Sequence, residues 1–298
     1  MSLVVVGSVA LDTIETPRGR ADDALGGSAT HFALAASLLT KVRLMGFVGE
    51  DFPAEHVDLL RKRGIDLTGL ETKPGETFRW HGRYLENMNV RETISLALNV
   101  FGEYEPVPPP AYRDSEFVFL ANGSPVHQMQ VVERMTAARF TVVDTMDHWI
   151  ESDRPALDAL LKRVQAVLIN DSEAHLLTGL DGIAAARALL DFGPHYVVVK
   201  KGEHGAVMVT PDDTFLIPAF PVAEVRDPTG AGDTFAGGMM GCLAEAGDVT
   251  PAIMRRALAY GAVIASFNVE DFGVRRTAAL TPDEVEERLE KFRRMLAF

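Results

Sequence analysis

The sequence predicts an α/β protein with a doubly wound, mainly parallel sheet, helices on both faces and a small inserted β-lid. Short apolar runs alternate with longer stretches of helical periodicity along most of the chain. The short runs lack the polar–apolar alternation of a strand with one wet face, so we expect strands that are covered on both sides. A length of 298 residues accommodates one large domain with an insertion, and we expect a single domain over residues 1–298.

The predicted elements follow one another in a regular order. The first strand is Leu3–Val6, a β-branched run that ends at Gly7. The other predicted parallel strands cover residues 44–48, 117–121, 141–143, 166–169 and 196–199. The predicted helices between strands cover residues 28–39, 54–63, 128–138, 154–163 and 182–190. Near the C-terminus, Thr250-Pro251 begins one helix, and a capping box from Thr281 to Glu284 begins another that extends to about Met295.

Two segments interrupt this order and predict the lid. Residues 13–25 are polar, and residues 77–101 contain strand-like stretches. Within the second segment, residues 78–84 alternate aromatic and polar side chains, which is typical of a strand with one face open to solvent. We interpret the two segments together as a small β-lid inserted into the α/β body. The alternative is an ordinary hairpin at the edge of the sheet.

The charge balance of the chain limits the classes of molecule that we expect it to bind. The chain has 29 Lys and Arg against 42 Asp and Glu, a formal net charge of −13, which disfavours binding to nucleic acids and to anionic membranes. Cys242 is the single cysteine, which excludes an intrachain disulfide and a cysteine-based zinc site. The first residues lack the basic region of a secretion signal, and no apolar stretch approaches the ~20 residues of a membrane span. We expect a cytoplasmic protein that binds small molecules.

The stretch from Asp227 to Gly238 carries the strongest chemical signal. Gly230, Ala231 and Gly232 have little side-chain bulk, so their backbone N–H groups can approach a ligand closely. Asp233 then opens a predicted apolar helix over residues 234–243, and a helix N-terminus favours anions. A carboxylate beside an anion site suits the transfer of a phosphoryl group to a hydroxyl. The alternative is that Asp233 only caps the helix. The Walker signature is absent, because no Gly-Lys-Ser/Thr follows these glycines.

This stretch resembles the C-terminal signature of the ribokinase-like (PfkB) carbohydrate kinases. Four further segments resemble that family in order and spacing, namely residues 7–12, 26–27, 170–173 and 201–205. The resemblance covers nearly the whole chain. It implies the ribokinase-like fold, ATP as the phosphoryl donor and Mg²⁺ as its partner ion, with a small-molecule acceptor as the second substrate.

The resemblance also implies a role for each matching residue. Asp233 would be the general base, and the backbone of Gly230, Ala231 and Gly232 would form the anion hole. The residues implied to bind ligands are Asp12, Gly26 and Gly27 for the acceptor; Asn170 and Glu173 for hydrated Mg²⁺ and the ATP phosphates; Lys201, Gly202 and Gly205 for the nucleotide; and Asp227 and Thr229 for a monovalent cation such as K⁺.

Two departures from the family pattern bear on the acceptor. Ala10 and His31 stand where the sugar kinases of this family often carry Asn. We expect His31 to face the substrate, although a buried His can also be a structural residue satisfied by a carbonyl group. On the lid, Trp80 could stack on a ligand or simply pack. Together these residues favour a nucleoside or a cyclic polyol over free ribose.

The remaining candidates and the rival function are less specific. Asn122 and Asp144 each follow an apolar strand, where ligands gather in a parallel sheet, but polar residues end most strands. A non-catalytic protein that senses sugars or nucleotides on the same fold is the rival function. The presence of Asp233 disfavours it, because a sensor needs no base. In this family a lid with exposed apolar area often pairs with a second copy, so we also expect a homodimer formed through the lid.

Overall fold

The computed structural model describes residues 1–297, and it contains two separate β-sheets. The strands are β1 (Leu3–Val6), β2 (Ala10–Thr16), β3 (Gly19–Gly26), β4 (Val42–Val48), β5 (Asp66–Thr72), β6 (Phe78–Tyr84), β7 (Arg91–Ala97), β8 (Phe117–Leu120), β9 (Phe140–Val143), β10 (Ala166–Asn170), β11 (Tyr196–Lys200), β12 (Ala206–Val209) and β13 (Thr214–Ile217).

The α-helices lie mostly between the strands of the larger sheet. They are α1 (Ser28–Ala36), α2 (Ala54–Lys62), α3 (Val100–Glu103), α4 (Pro125–Arg134), α5 (Asp147–Ser152), α6 (Arg154–Leu161), α7 (Asp171–Thr178), α8 (Gly182–Leu190), α9 (Ala231–Ala246), α10 (Pro251–Asn268), α11 (Arg275–Ala279) and α12 (Pro282–Leu296). Within residues 1–297, no helix is both long enough and apolar enough to cross a membrane.

The larger sheet has nine strands in the order β13-β12-β11-β10-β9-β8-β1-β4-β5. All neighbours are parallel except β11–β12 and β12–β13. The chain moves outward from β1 in both directions, first to β4 and β5 and later to β8 and beyond. The strand order therefore reverses between β1 and β8, which is where open α/β sheets bind their ligands.

Apolar side chains cover both faces of this sheet. Leu3 and Val5 of β1 belong to one core with residues of α1, α9 and α10, whereas Val4 and Val6 belong to another with residues of α4, α6 and α8. This arrangement explains why the strand sequences are continuous apolar runs, since alternate side chains enter two dry cores.

The second sheet, here called the small sheet, has the strand order β3-β2-β6-β7. Its strands come from the two segments that predicted the lid and from the residues that flank them. Strand β2 pairs with β6 in parallel, which joins the two distant segments into one sheet. This pairing differs from an isolated edge hairpin.

The structure corrects several predicted boundaries. Helix α4 begins at Pro125, because a proline fits the first helical position, and it ends at Arg134. Helix α1 ends at Ala36, after which the chain forms tighter turns. Strands β5, β12 and β13 were not predicted. In β5 most side chains are polar and exposed at the sheet edge, so the strand lacks the apolar run of its neighbours.

Candidate active site

The ends of three adjacent strands and the start of α9 bring polar side chains together. Asp144 follows β9, Asn170 ends β10 and Lys200 ends β11. These strands are parallel neighbours, so their carboxyl ends meet at one edge of the sheet. Asp233, on α9, lies close to this cluster, since its charge affects the pKa values of both Asp144 and Lys200. Lys200 lies outside every motif identified in the sequence.

The loop before α9 places Asp233 in the first turn of the helix. Gly230 is the N-cap, with a left-handed φ of 70°, and the helix begins at Ala231. Asp233 is therefore the third helical residue and not the cap, so the capping interpretation was wrong. The side chain is half-buried, and burial raises its pKa against the opposing charges of Lys200 and Arg91.

The buried carboxylate of Asp227 fixes this loop through hydrogen bonds to the backbone. Asp227 is fully buried; its Oδ1 accepts the Thr229 N–H and its Oδ2 accepts the Gly273 N–H, both at 2.8 Å. Burial raises the pKa of Asp227 despite these hydrogen bonds. The Thr229 hydroxyl donates to the Tyr84 hydroxyl at 3.2 Å, which ties the loop to strand β6 of the small sheet.

On the opposite side of the site, Asp12 lies against the double glycine. Its Oδ2 accepts the Gly27 N–H at 3.3 Å, while its Oδ1 is buried and has no hydrogen-bond partner among the described residues. A Cβ on Gly26 would overlap this carboxylate. Burial raises the pKa of Asp12 to about 7, the Gly27 N–H opposes the shift, and the charges of Asp227 and Asp233 add to it.

His31 connects α1 to the same loop. The Asn268 amide donates to the Thr229 carbonyl oxygen at 2.7 Å, so its Oδ1 faces His31 Nδ1 at 3.1 Å. This orientation assigns the imidazole hydrogen to Nδ1 and leaves Nε2 as a buried acceptor without a partner in residues 1–297. The ring packs so tightly on Gly230 that a Cβ there would overlap it. The partner of His31 is thus a side chain and not a main-chain carbonyl group.

Asn170 and Glu173 form a capping box at the start of α7. The Asn170 Oδ1 accepts the Glu173 N–H, and the Glu173 Oε2 accepts the Asn170 N–H, both at 2.8 Å. Burial, followed by the charge of Asp144, raises the pKa of Glu173 to about 8. Across residues 1–297, no group of three or more His, Cys, Asp or Glu side chains is arranged to hold a metal ion.

The predicted nucleotide-binding residues form a tight turn after β11. The Lys201 N–H donates to the Gly205 carbonyl oxygen at 2.7 Å, and Gly202 and Gly205 both have positive φ angles. The connection between β6 and β7 reaches this turn, where the Asn89 amide donates to Glu203 Oε1 at 3.2 Å. The small sheet therefore extends from the Asp12 side of the site to the Lys201 side.

Two other predicted site residues have partners within the chain. The six-membered end of the Trp80 ring lies against Gly82, and its Nε1 donates to the Thr93 hydroxyl at 3.3 Å. The Arg91 guanidinium lies 5.6 Å from the centre of the Trp80 ring. Asn122 accepts a hydrogen bond from Trp149 Nε1 at 3.0 Å, so its carbonyl oxygen is already used.

A cavity of about 240 Å³ opens at the point where the strand order reverses. It lies against the ends of β1, β4 and β8, and most of its lining is apolar. Its larger side chains are Phe47, Leu98, Phe101, Tyr104, His127, Gln128 and Trp149. Gly7, another lining residue, lies against the hydroxyl of Ser28, which is the residue that follows Gly27. The cavity therefore adjoins the glycine pair that contacts Asp12.

Comparisons with known proteins relate this fold and site to one family. Residues 2–280 match the model of the pfkB family of carbohydrate kinases. A cytidine kinase from Thermococcus kodakarensis is 33% identical over 248 residues, which are 80% of this chain and 87% of that protein. A deoxyribokinase from Salmonella typhi is 28% identical over 292 residues, 88% of this chain and 92% of that protein.

The fold comparison agrees with the sequence comparisons. The solved structure of aminoimidazole riboside kinase from Salmonella enterica, with aminoimidazole riboside and an ATP analogue bound, has a TM-score of 0.78 at 20% identity, covering 97% of this chain and 100% of that one. The predicted doubly wound, ribokinase-like fold is thereby confirmed. The chain belongs to the pfkB family of carbohydrate kinases and is an ATP-dependent kinase of a small molecule.

Proposed function

We propose that this kinase transfers the γ-phosphoryl group of ATP to a hydroxyl group of a nucleoside. Asp233 is the general base, and the backbone of Gly230, Ala231 and Gly232 is the anion hole. The acceptor hydroxyl loses its proton to Asp233 as its oxygen bonds to phosphorus, and the bond between phosphorus and ADP breaks. Sugars and cyclic polyols are the rival acceptors, and a non-catalytic sensor is the rival function.

The observation that carries this proposal is that Asp12 lies close enough to Asp233 for the charge of Asp233 to act on it. Each carboxylate is largely withdrawn from water, and the charge of Asp233 contributes to the raised pKa of Asp12. The Oδ1 of Asp12 has no partner among the described residues, and a buried acceptor without a partner is unfavourable. A polyhydroxyl ligand resolves this arrangement, because one hydroxyl can donate to Asp12 while its neighbour faces Asp233. Gly26 and Gly27 shape the wall beside that ligand.

The phosphate side suits a hydrated magnesium ion. A magnesium ion is usually held by one or two carboxylates together with water and phosphate oxygens. Asn170 and Glu173 would hold it through water, and the buried Glu173 carboxyl gains from the nearby positive charge. When bound, the ion neutralises charge on the phosphates. Lys201, Gly202 and Gly205 flank the nucleotide.

The acidic pocket below the loop suits a monovalent cation such as K⁺. Asp227 is fully buried, and its hydrogen bonds at 2.8 Å come from backbone N–H groups rather than from a charged side chain. A cation beside Asp227 and Thr229 would compensate that negative charge and stiffen the loop that carries Gly230.

The cavity favours a nucleoside over a free sugar. A free pentose offers only polar groups, which Asp12 could bind, whereas the mostly apolar cavity with its aromatic side chains suits a flat base. The 33% identity to a cytidine kinase supports the same choice. In this arrangement His31 acts by supporting Gly230, and Trp80 covers the acceptor from the small sheet.

The test of catalysis is Asp233→Asn, an isosteric change that removes the base. We expect kcat to fall by about 10²–10⁴-fold, while the affinity for ATP in a calorimetric titration stays within about threefold. A near-normal kcat would refute the role of Asp233. If the wild-type protein also binds ATP and nucleosides without turnover, the sensor is the correct function.

The test of the acceptor is kcat/KM for cytidine, adenosine, ribose, deoxyribose, fructose and myo-inositol at saturating ATP. We expect a nucleoside to be the best acceptor. Phe101→Ala, which enlarges the cavity, should lower kcat/KM for that nucleoside and leave the value for ribose unchanged. A clear preference of the wild-type enzyme for ribose, deoxyribose or fructose would contradict the nucleoside assignment and leave the catalytic roles in place.

We also infer that two copies pair through the small sheet. Strand β7 is its edge, so one side of its backbone has no neighbouring strand in the described chain. Its Ile94 and Leu96 are 45% and 41% exposed, which is unusual for two large apolar side chains on one strand. A second copy would cover both the edge and these side chains.

A further inference from the structure

Lys200 is a buried cation that none of the family motifs in this chain includes. It ends β11, its side chain is 16% exposed, and its Nζ lies 3.1 Å from Oδ2 of the buried Asp144. Burial disfavours the charged amine, but the charges of Asp144, Glu173 and Asp233 outweigh this effect and raise its pKa. Lys200 is therefore an ammonium at neutral pH, hydrogen-bonded to Asp144 and within reach of the charges of Glu173 and Asp233.

The ammonium also borders the backbone of the anion hole. A Cβ placed on Gly232 would lie 3.1 Å from Lys200 Nζ and 3.5 Å from its Cδ. The space next to the Gly232 backbone is thus occupied by the end of the lysine side chain. A group bound by the Gly232 N–H would lie within reach of this ammonium.

The carboxylates of Asp144 and Asp233 are an unfavourable environment for a phosphoryl group unless positive charge compensates them. In a site of low dielectric, a positive charge placed in advance stabilises the charge that develops during transfer. Lys200 lies between these carboxylates and the anion hole, so its position matches that requirement.

We propose that Lys200 contacts the phosphoryl group during its transfer, and that Asp144 is a positioning residue that holds the ammonium beside Gly232. This inference rests on the proposed anion hole and adds a cation to it. The bond changes are those of the proposed reaction: the phosphorus–oxygen bond to ADP breaks, a new one forms to the acceptor oxygen, and the acceptor proton passes to Asp233. Lys200 keeps its three protons throughout.

A purely structural role makes a different prediction. If Lys200 served only to neutralise Asp144, removing its charge would harm the enzyme by leaving a buried carboxylate unpaired. Removing both charges together would then restore activity. If Lys200 contacts the phosphoryl group, removing both charges leaves the reaction without its cation.

The experiment compares Lys200→Met, Asp144→Asn and the double variant with wild-type protein, using steady-state kinetics. We expect kcat to fall by about 10²–10³-fold in Lys200→Met and to stay as low in the double variant, with the KM of the acceptor little changed. Asp144→Asn should show a smaller loss of about tenfold, because the ammonium remains but is less well held. Recovery of the double variant to within about threefold of wild type would overturn the proposal.

Ligand binding gives a second readout that does not depend on turnover. Calorimetric titrations with ADP and with a non-hydrolysable ATP analogue distinguish contacts to the γ-phosphate from contacts to the rest of the nucleotide. In the double variant, which removes Lys200 together with its hydrogen-bonded partner Asp144, we expect about a tenfold loss of affinity for the analogue and no more than a twofold loss for ADP. Equal changes for the two ligands would contradict a contact with the transferred group.

Asp233→Asn, measured in parallel, separates the two proposals. Loss of activity in Asp233→Asn with near-normal activity in the double variant refutes only the role of Lys200. Normal activity in Asp233→Asn refutes the catalytic site itself. Circular dichroism and urea unfolding of each variant identify any loss of activity that comes from misfolding.

Discussion

Replacing Gly26 by alanine tests the geometry of the acceptor site with a single methyl group. Gly26 ends strand β3 with an ordinary negative-φ backbone, so alanine introduces no strain of its own. Its Cβ would, however, overlap the Asp12 carboxylate and lie 2.5 Å from its Cγ. Contacts of this kind cannot persist, so the Asp12 carboxylate has to rotate away from its present position.

The size of the effect follows from what that rotation removes. Asp12 would lose its hydrogen bond from the Gly27 N–H, and its oxygens would no longer face the acceptor hydroxyl. A hydrogen bond to a charged group contributes about 1.5–3 kcal/mol. At about 1.4 kcal/mol per factor of ten, we expect kcat/KM for the acceptor to fall by about 10–150-fold. The affinity for ATP should not change, because Asn170, Glu173 and the 201–205 turn are separate from Gly26.

The assay is a double-mutant cycle on kcat/KM with wild type, Gly26→Ala, Asp12→Ala and the double variant. If the methyl group acts only by displacing Asp12, it has no further effect once the carboxylate is gone. The double variant should then match Asp12→Ala within about twofold. Full additivity of the two losses would refute this reasoning, since it would mean that Gly26→Ala acts on another part of the site.

Three further changes test the burial of Asp12, the link to the small sheet and the dimer. Burial raises the pKa of Asp12 to about 7, so the contribution of Asp12 to the free energy of unfolding should decrease as pH rises from about 4 to 7; in urea unfolding, Asp12→Asn should therefore gain stability relative to wild type between pH 5 and pH 8. Tyr84→Phe leaves the buried Thr229 hydroxyl without its acceptor and should lower the free energy of unfolding by about 1 kcal/mol, measured by urea denaturation. Leu96→Asp should convert a dimer into a monomer in sedimentation velocity; an unchanged sedimentation coefficient would contradict pairing through β7.

The main elements of the fold could be predicted because their sequence signals are local. Strands β1, β8 and β10 are short apolar runs with both faces buried, so burial on either side selects the same residue types. The boundaries of α8 agree with the prediction. Helix α12 begins at its capping box and ends at Leu296, one residue beyond the predicted end at Met295. Edge strand β5 lacked such a signal, because its exposed side chains impose no apolar pattern.

The candidate site was predictable only in part, for a related reason. Asp233 and its glycines form one contiguous segment, so the sequence could single them out as a candidate anion site, with a simple helix cap as the alternative. Lys200 is a single lysine at a strand end, and only the alignment of β10 with β11 brings it next to the other strand-end residues. The position of Asn268 at the end of α10, which decides the tautomer of His31, also has no local signal.

The sequence by itself determined the alternation of strands and helices, the burial of both faces of the central strands and the identity of the loop that leads to Asp233. These follow from backbone geometry and from hydrophobic burial, which act on neighbouring residues. Only the tertiary structure decided that β2 pairs with β6, that the charge of Asp233 reaches Asp12 and that Lys200 lies beside Gly232. Such contacts join residues far apart in the chain. Their energies depend on the distances between the atoms and on their burial from water, and no local sequence pattern encodes either.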